Sequence, residues 1–527
     1  MINIYDSLYR YSDEIRHVLT AHEQGAAHAA DGYARATGRP GVVIATSGPG
    51  ATNLVTGIAT ASLDSIPLIA ITGNVKSSQI GTDSFQETDI TGVTLPITKH
   101  NYFVDSVDDL ADTIREAFSI AISDRPGPVL VDIPTDVQVA SASYRPHPQV
   151  TPAARHAAKD ERIREAAACI EQAARPYVYF GGGLIASDAA DEMLELAERI
   201  DAPIGSSMMG ISGIPTDHPR YLGMEGMHGH YAASLAMKES DCIIGLGVRF
   251  NDRSTGDTSK FARDADIVHI DIDGAELSKT THDTHGLRGD VKLTLQRLIP
   301  LLSQTVRPEW RRRVAEFRED EERFADHRPG LTPRNALQLL NEHLEDDMPV
   351  ATDVGQHQMW AAQEVRRRVS RRFISSGGLG TMGFGMGSAI GAHFGTGQRC
   401  VLVTGDGSFG MCLNELATAV TYHVPLVILV LDNGVLGMVR QWQTLFYDKH
   451  YSNTVLDRRT DFVALARAFG ADGSKVDSLD GLGRAFDAAF ACEGPYVIDC
   501  AIDRDELVLP MLPPGGSMDD IITKVGD

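Results

Sequence analysis

Short apolar runs alternate with glycine-containing turns and segments of helical spacing along most of the chain. Runs of four to eight apolar residues between turn signals are typical of buried strands. The predicted strands are residues 15–19, 41–46, 67–73, 128–134, 177–183, 243–249, 267–273, 400–404 and 426–431. Strands that alternate with helices form parallel sheets with helices on both faces. The pattern therefore predicts an α/β fold of doubly wound parallel sheets.

Polar segments divide this pattern into three units. Residues 149–162 are predicted to be a linker, and the charged residues 307–328 a solvated helix and linker. We predict units at residues 1–148, 163–300 and 332–510, followed by a tail at 511–527. A chain of 527 residues agrees with this division, since length alone suggests roughly three domains.

Two strands of the third unit are each followed by a polar residue. The strand at 400–404 leads into Gly405-Asp406-Gly407, with Ser408 predicted to cap the helix at 414–421. The strand at 426–431 ends before Asn433, 27 positions after Asp406. Ligands of open α/β sheets bind at the carboxyl ends of strands, and Mg²⁺ prefers oxygen ligands. The pattern predicts a divalent cation that holds a diphosphate, whereas an ordinary strand–turn–helix would place Asp406 in the turn without a ligand.

Composition and charge exclude several other classes. The net charge is −23, so a nucleic-acid surface is not expected. The six cysteines form no CxxC pair, which argues against zinc and for free thiols. No apolar run approaches the roughly 18 residues that span a bilayer, and the start of the chain has no apolar signal-peptide region. We expect no membrane association and a cytoplasmic location.

Glu23 is the candidate acid of the first unit. It stands at the start of a predicted helix of small residues that begins at His22. A carboxylate shielded from water has a raised pKa and can move protons. The alternative is a glutamate that only stabilises the helix dipole, so the position of Glu23 in the chain does not decide its role.

The Gly-Asp-Gly turn followed by Asn433 resembles the motif of thiamine diphosphate (ThDP) enzymes. The stretch Gly437-Met438-Val439-Arg440-Gln441-Trp442 is similar to the acetolactate synthase (acetohydroxyacid synthase) family, in its large catalytic subunit. The resemblance runs from Ile4 to Ile522. It implies ThDP, Mg²⁺ and a structural FAD as cofactors. It also implies Mg²⁺ ligands, namely Asp406, Asn433 and the carbonyl of Val435.

The resemblance implies catalytic and ThDP-contacting residues in the first and third units. In the family, the glutamate at the position of Glu23 hydrogen-bonds the pyrimidine ring, Gln86 lines the substrate pocket, and Met382 forces the cofactor into a bent form. The other implied ThDP contacts are Pro49, Asn53, Gln356, His357, Gly380, Gly405, Gly407, Ser408, Gly437 and Met438.

Flavin and substrate residues are implied in the same way. The middle unit resembles an FAD-binding domain, with implied contacts at Arg125, Gly182, His228, Gly229, Arg249, Asp271 and Asp290. An acidic residue that closes a strand, such as Asp271, can also hold a ribose hydroxyl. The implied substrate residues are Lys99, Arg253 and Trp442, of which Trp442 would favour 2-ketobutyrate as the second substrate. The tail would close over the site.

The activity implied is that of a transferase. Pyruvate is decarboxylated, and the hydroxyethyl carbanion is transferred to a second pyruvate, giving 2-acetolactate, or to 2-ketobutyrate, giving 2-aceto-2-hydroxybutyrate. This step begins the synthesis of isoleucine, valine and leucine. The implied partners are 2-keto acids, further copies of the chain in a homodimer or homotetramer, and a small regulatory subunit. The cofactor would lie between the first unit of one chain and the third unit of another.

One departure from the family pattern keeps other functions open. Family members usually begin roughly 25 to 30 residues earlier, so we expect lower stability or activity and retain a catalytically silent paralogue as an alternative. Glyoxylate carboligase is disfavoured because Glu23 is an acid where that enzyme has an apolar residue. Pyruvate oxidase would require pyruvate to reduce the flavin.

Overall fold

Three parallel sheets organise the computed structural model, which describes residues 1–146 and 154–524. Every strand pairing within these sheets is parallel in the described part of the chain. Helices between the strands cover the sheets, which is why most strand residues are apolar and buried. The predicted fold class is confirmed.

The first unit contains a four-stranded sheet of order β1-β2-β4-β3. Its strands are β1 Gly41–Ala45, β2 Leu68–Asn74, β3 His100–Phe103 and β4 Pro128–Pro134. Its helices are α1 Ile2–Arg10, α2 Glu23–Thr37, α3 Pro49–Asn53, α4 Val55–Leu63, α5 Ile90–Thr94, α6 Val107–Ile122 and α7 Thr135–Val139.

The middle unit contains a six-stranded sheet of order β10-β9-β8-β5-β6-β7. Its strands are β5 Pro176–Phe180, β6 Ile204–Ser206, β7 Tyr221–Met224, β8 Cys242–Leu246, β9 Asp266–Asp271 and β10 His285–Arg288. Its helices are α8 Asp160–Gln172, α9 Gly182–Ser187, α10 Ala190–Arg199, α11 Tyr231–Glu239, α12 Asp252–Thr255, α13 Val291–Leu298 and α14 Pro308–Phe324.

The third unit contains a six-stranded sheet of order β12-β11-β13-β14-β16-β15. Its strands are β11 Val350–Thr352, β12 Phe373–Ile374, β13 Cys400–Gly405, β14 Leu426–Asp432, β15 Asp472–Val476 and β16 Tyr496–Ala501. Its helices are α15 Pro333–Asn341, α16 Gln356–Glu364, α17 Gly385–Thr396, α18 Asp406–Cys412, α19 Leu416–Thr421, α20 Gly437–Phe446, α21 Phe462–Phe469 and α22 Leu479–Ala491.

Two sequence predictions about local structure were wrong. No strand forms at residues 15–19; instead the amide of Leu19 donates to the hydroxyl of Tyr422, 2.9 Å away, so this segment lies against the third unit. The charged segment 307–328 is not wholly solvated. Its helix α14 buries Trp310 and Phe317 against the middle unit, because apolar residues spaced two turns apart share one helix face.

The predicted boundaries of the units stay predictions, although each sheet falls inside one of them. Residues 147–153 of the predicted first unit and linker, and residues 525–527 of the predicted tail, lie outside the described residues. The last three residues of the predicted linker, 160–162, belong to helix α8, which begins at Asp160. Among the described residues, no helix is long and apolar enough to cross a bilayer.

Helices α2 and α17 join the first and third units through glycine contacts. A Cβ atom at Gly391 would overlap the carbonyl oxygen of Ala29, and one at Gly387 would lie 2.8 Å from Cβ of His28. The backbones of the two helices therefore approach more closely than side chains would permit. This packing fixes the helix that begins at Glu23 against the third unit.

A buried polar cluster accompanies this helix pair. Arg35 pairs with Asp31 and, at 2.8 Å, with Asp64. Asp64 accepts hydrogen bonds from the amides of Gly377 and Gly378 in the third unit, at 3.2 and 2.7 Å. Because a charge can be buried only when it is paired or hydrogen-bonded, these contacts fix the relative position of the two units.

The first prediction concerns the helix contact. We expect Gly391→Ala to lower the free energy of unfolding by about 1–3 kcal/mol, because the new methyl group must displace the backbone of α2. Thermal or denaturant unfolding measures the loss. Gly494→Ala is the matched control, since a Cβ atom there meets nothing within 4 Å. Equal stability of the two variants would contradict the observed packing.

The second prediction concerns His28, which is fully buried in this interface and has no hydrogen-bond partner on either ring nitrogen within the described part of the chain. Burial, with a smaller effect of the Arg35 charge, lowers the pKa of His28 to about 3. The unfolded chain binds this proton below about pH 6.5 and the folded chain does not, so stability is lost as the pH falls. Between pH 7 and pH 5 the loss should be about 2 kcal/mol.

His28→Leu should remove that loss from the pH dependence of the unfolding free energy. His450→Leu, at an exposed histidine, is the control and should keep it. The assignment fails if the His28→Leu variant and the unmodified chain lose the same stability between pH 7 and pH 5.

Candidate ThDP and metal site

A cavity of about 80 Å³ lies at the carboxyl edge of the third sheet. Gly405 of β13 pairs in register with Leu431 of β14, so Asp406 and Asn433 leave neighbouring strands at the same edge. The structure brings eleven of the predicted site residues together around this cavity: Gln356, His357, Met382, Gly405, Asp406, Gly407, Ser408, Asn433, Val435, Gly437 and Met438.

The helix after β13 starts earlier than the sequence predicted. Gly405 is the N-cap of α18, which begins at Asp406 and is followed by a 3₁₀ turn and α19. Ser408 therefore lies inside the first turn, and the prediction that it caps a helix was wrong. Its hydroxyl donates instead to the carbonyl of Val354, 2.8 Å away, which joins α18 to the segment that follows the neighbouring strand β11.

The cavity is lined by a buried carboxylate without an ion pair and a buried imidazole with one unpartnered nitrogen, as judged over residues 1–146 and 154–524. Burial, reinforced by the nearby Asp432 carboxylate, raises the pKa of Asp406 to about 7, and Asp406 has no ion-pair partner among residues 1–146 and 154–524. Burial lowers the pKa of His357 to about 3, and its Nε2 makes no hydrogen bond to any residue that the structure describes. Unpartnered buried polar groups require a compensating ligand. A cation would favour the ionised form of Asp406.

The donor set fits Mg²⁺ and a phosphate group. A carboxylate, a side-chain amide oxygen and main-chain carbonyls are hard oxygen ligands. The residues present therefore fit the diphosphate end of ThDP with its metal.

The segment that carries Met382, residues 377–385, is held from two sides; we call it the Met382 loop. Asp353, fully buried beneath it, accepts hydrogen bonds from the amides of Gly383 and Gly385, at 2.8 and 3.3 Å. Burial raises the pKa of Asp353 to about 6. From the first unit, Thr60 shares a 2.8 Å hydrogen bond with Thr381. The loop that carries Met382 is thus positioned by both units.

Sequence reasoning missed Asp353, although a signal for it existed. Asp353 directly follows β11, as Asp406 follows β13. Acidic residues at the carboxyl ends of parallel strands in one sheet lie along one edge. The sequence does not show which way the side chain of Asp353 points. In the structure it faces the Met382 loop and does not line the cavity.

A second cluster of predicted residues lies in the first unit. The side-chain amide of Asn53 donates to Oε2 of Glu23 at 3.0 Å. Pro49 begins α3 beside them, and Gln86, with φ of 62°, packs against the preceding Gly48. Glu23 is half-buried, and none of these residues lines the cavity of the third unit.

The predicted substrate residues and Gly380 lie outside the cavity. The ammonium of Lys99 donates to the carbonyl of Ser123 at 2.8 Å and also contacts that of Ile120, at the carboxyl end of α6. Arg253 is exposed on α12, and Trp442 packs on Phe446 within α20 with ring centroids 5.8 Å apart. Gly380 takes a left-handed φ of 69° in the Met382 loop. Their substrate and cofactor roles stay predictions.

Some of the predicted flavin residues already have structural partners. Arg125 pairs with Asp273 at 3.1 Å and with Glu276 at 2.6 Å, which connects the first and middle units. Asp290 caps α13 through the amide of Leu293 and also accepts from Ser187. Oδ1 of Asp271 accepts the amide of Asp273. These contacts account for the three positions without a ligand.

The remaining flavin candidates fit an anionic ligand. Arg249 forms no ion pair among the residues that the structure describes, and burial together with the charge of Arg125 lowers its pKa. His228 is buried, its Nδ1 has no partner among the described residues, and burial lowers its pKa to about 4. Gly229 follows it, and Gly182 begins α9 after β5. A larger cavity of about 610 Å³, between residues 155–160 and 293–297, contains none of the predicted residues.

The third prediction tests the support under Met382. Asp353→Ala leaves buried backbone amides without an acceptor, so the free energy of unfolding should fall by about 2–4 kcal/mol. Asp477→Ala, at an exposed aspartate of the same unit, should have no measurable effect. Denaturant unfolding of both variants checks this, and an unchanged midpoint for Asp353→Ala would contradict the assigned contacts.

Comparison with known proteins places the chain in one class of enzyme. Family models of thiamine pyrophosphate enzymes match all three units: the N-terminal TPP-binding domain at residues 1–93, the central domain at 163–298 and the C-terminal TPP-binding domain at 353–500. The matched class is therefore that of the thiamine pyrophosphate enzymes, in agreement with the cavity and its oxygen ligands.

Relatives that match the whole length of the chain identify one family within this class of enzymes. The chain is 44% identical to acetolactate synthase isozyme 2 large subunit of Escherichia coli, over 99% of this chain and 94% of the relative. It is 42% identical to the probable acetolactate synthase large subunit of Methanocaldococcus jannaschii, over 100% and 91%. It is also 42% identical to the acetolactate synthase large subunit of Corynebacterium glutamicum, over 100% and 86%. The chain belongs to the acetolactate synthase large-subunit family.

Proposed function

We propose that this chain decarboxylates pyruvate with ThDP and transfers the two-carbon unit to a second 2-keto acid. The products are 2-acetolactate from pyruvate and 2-aceto-2-hydroxybutyrate from 2-ketobutyrate, the first common step towards the branched-chain amino acids. One observation carries the proposal. Asp406, Asn433 and Val435 line a single cavity in a chain whose full-length relatives are acetolactate synthases.

The residues of the third unit would hold the cofactor at its diphosphate end. Asp406, Asn433 and the carbonyl of Val435 would bind Mg²⁺, and Met382 lies where the side chain can shape the bound cofactor. ThDP, when bound, supplies a nucleophilic carbon and an electron sink for decarboxylation. The apolar lining from Leu431, Leu436 and Met438 excludes water, so that charges in the cavity interact more strongly.

Glu23 would hold and move a proton at its Oε1. Its other oxygen, Oε2, accepts the hydrogen bond from Asn53, whereas Oε1 faces Gly50, where the absence of a side chain leaves space. The contact with Asn53 therefore orients the carboxyl group and leaves one oxygen for the cofactor. This is the geometry that a general acid–base group requires.

Glu23 and the cavity form two separate clusters in one chain, so we propose a homodimer as the smallest active form, with a homotetramer as its larger assembly. A second copy would bring Glu23 to the cavity. Phe85, next to Gln86 in the chain, is 87% exposed, and a second copy of the chain would cover it.

We also propose FAD and a smaller regulatory subunit as partners of this chain. FAD would bind the middle unit, where Arg249 and His228 lack partners among the described residues. A smaller regulatory subunit would bind the assembly, since the relatives are named large subunits. The cytoplasmic location stays a prediction from the sequence.

The direct test incubates the purified chain with pyruvate, with and without 2-ketobutyrate, in the presence of ThDP, Mg²⁺ and FAD. We expect 2-acetolactate with pyruvate alone and both products with the mixture, without net flavin reduction. Reduction of FAD by pyruvate under anaerobic conditions at the rate of carbon dioxide release would instead identify an oxidase. Release of neither product nor carbon dioxide would identify a silent paralogue.

The fourth prediction concerns the acid. Glu23→Gln keeps the shape and the contact with Asn53 but cannot transfer a proton, so kcat should fall by about 10²–10⁴-fold. ThDP binding should remain. Glu14→Gln, at an exposed glutamate nine positions earlier, should leave kcat unchanged. Turnover of Glu23→Gln within a few-fold of the unmodified chain would rule out this role.

A further inference from the structure

Three side-chain amides connect the proposed metal site with the segment before the tail. Gln441 binds the backbone of Val508 in both directions: its Nε2 donates to the carbonyl at 3.0 Å and its Oε1 accepts from the amide at 2.8 Å. Gln356 Nε2 donates to Oε1 of Gln441 at 3.0 Å. Asn433 Nδ2 donates to Oε1 of Gln356 at 3.3 Å.

The backbone of residues 506–508 decides how each amide is oriented. An amide side chain has an oxygen that only accepts and a nitrogen that only donates, and its partners distinguish the two. Val508 offers one donor and one acceptor, which fixes Gln441. The oxygen of Gln441 and the carbonyl of Glu506, at 2.7 Å, are both acceptors, so the nitrogen of Gln356 must face them.

The last amide in this series is the proposed Mg²⁺ ligand. Because the oxygen of Gln356 faces Asn433, the nitrogen of Asn433 must point towards it. Oδ1 of Asn433 then points the other way, where it accepts the amide of Val435 at 3.1 Å and keeps a second lone pair. Only this orientation presents an oxygen, and not an NH₂ group, to a cation.

We propose that Gln441 is a positioning residue that, through Gln356, fixes the amide of Asn433 with its oxygen towards the metal. Gln441 touches neither the cavity nor a reacting group; it is 1% exposed and does not line the site. The inference rests on the proposed ThDP–Mg²⁺ site but not on which keto acids react. Groups that orient metal ligands in this way change metal affinity by about 10–100-fold when removed.

Gly437 supports the inference independently. A Cβ atom at this position would overlap Oε1 of Gln356 and lie 2.8 Å from Nδ2 of Asn433. Glycine at the start of α20 therefore leaves the space in which these two amides meet. Its φ is not left-handed, so backbone conformation does not require glycine here, whereas the hydrogen bond between the side chains does.

The test is a double-mutant cycle on metal affinity. Gln441→Met keeps the length of the side chain but removes both amide groups, so the Kd for Mg²⁺ at saturating ThDP should rise at least about 10-fold. Isothermal titration calorimetry on the purified chain gives this value without any turnover. Gln443→Met, on the same helix α20 and outside the amide series, is the matched control and should leave the Kd unchanged.

Repeating the Gln441→Met substitution in an Asn433→Asp variant distinguishes lost orientation of the Asn433 amide from a general loosening of the metal site. A carboxylate presents an oxygen in either orientation, so adding Gln441→Met to Asn433→Asp should leave the Kd as it is in Asn433→Asp alone. An equal rise in both backgrounds, or no rise with native Asn433, would overturn the inference. Absence of Mg²⁺ binding by the unmodified chain with ThDP would overturn the proposed function as well.

A second variant keeps the test decisive if Gln441→Met does not fold. Gln441→Glu keeps an oxygen that accepts from Val508 and from Gln356 but loses the donor to the Val508 carbonyl. We expect a lower melting temperature with a Kd for Mg²⁺ near that of the unmodified chain. A Kd raised as in Gln441→Met would show that orientation of Gln356 is not what Gln441 supplies.

Discussion

A buried carboxylate without a positive partner is the constraint on which the site depends. Asp406 is 8% exposed, lies beside Asp432, and pairs with no cation among the described residues. Such a group is costly to bury unless a cation or hydrogen-bond donors compensate it. The third sheet creates this situation by ending β13 and β14 at the same edge. Under the proposed function, Mg²⁺ bound with a diphosphate would supply a compensating positive charge at Asp406.

Contacts at increasing distance from the cavity fix the geometry of this sheet edge. The amides of Gln441 and Gln356 orient Asn433, while Asp353 and Thr60 position the Met382 loop. Helices α2 and α17 then join the first unit to the third through glycine contacts. A residue far from the cofactor can therefore alter the site by moving one of these supports, since positioning contributes directly to the rate.

Sequence reasoning succeeded where a local signal was sufficient. It placed Asp406 and Asn433 at one sheet edge because each follows an apolar strand and parallel topology brings the two strand ends together; their role as metal ligands stays a prediction. Sequence reasoning failed for side chains whose hydrogen-bond partner is distant in the sequence. The contacts of Gln441 with Val508, and of Asp64 with Gly378, join residues 67 and 314 positions apart. Nothing near Gln441 in the chain indicates which backbone group its amide binds.

Two of the wrong local predictions have the same cause. Residues 15–19 were predicted as a short strand, yet they lie against the third unit and not beside another strand. The charge of residues 307–328 suggested a solvated helix, yet Trp310 and Phe317 are enough to bury one face. In both segments tertiary packing decided the outcome over local composition.

The metal position tests the account most directly. A crystal structure of the chain with ThDP and Mn²⁺, recorded with anomalous scattering, locates the ion independently of turnover. We predict one strong anomalous peak bound by Asp406, Oδ1 of Asn433 and the carbonyl of Val435, with metal–oxygen distances of about 2.0–2.3 Å. A fully occupied ion elsewhere, or bound ThDP whose metal does not touch Asp406, would contradict it.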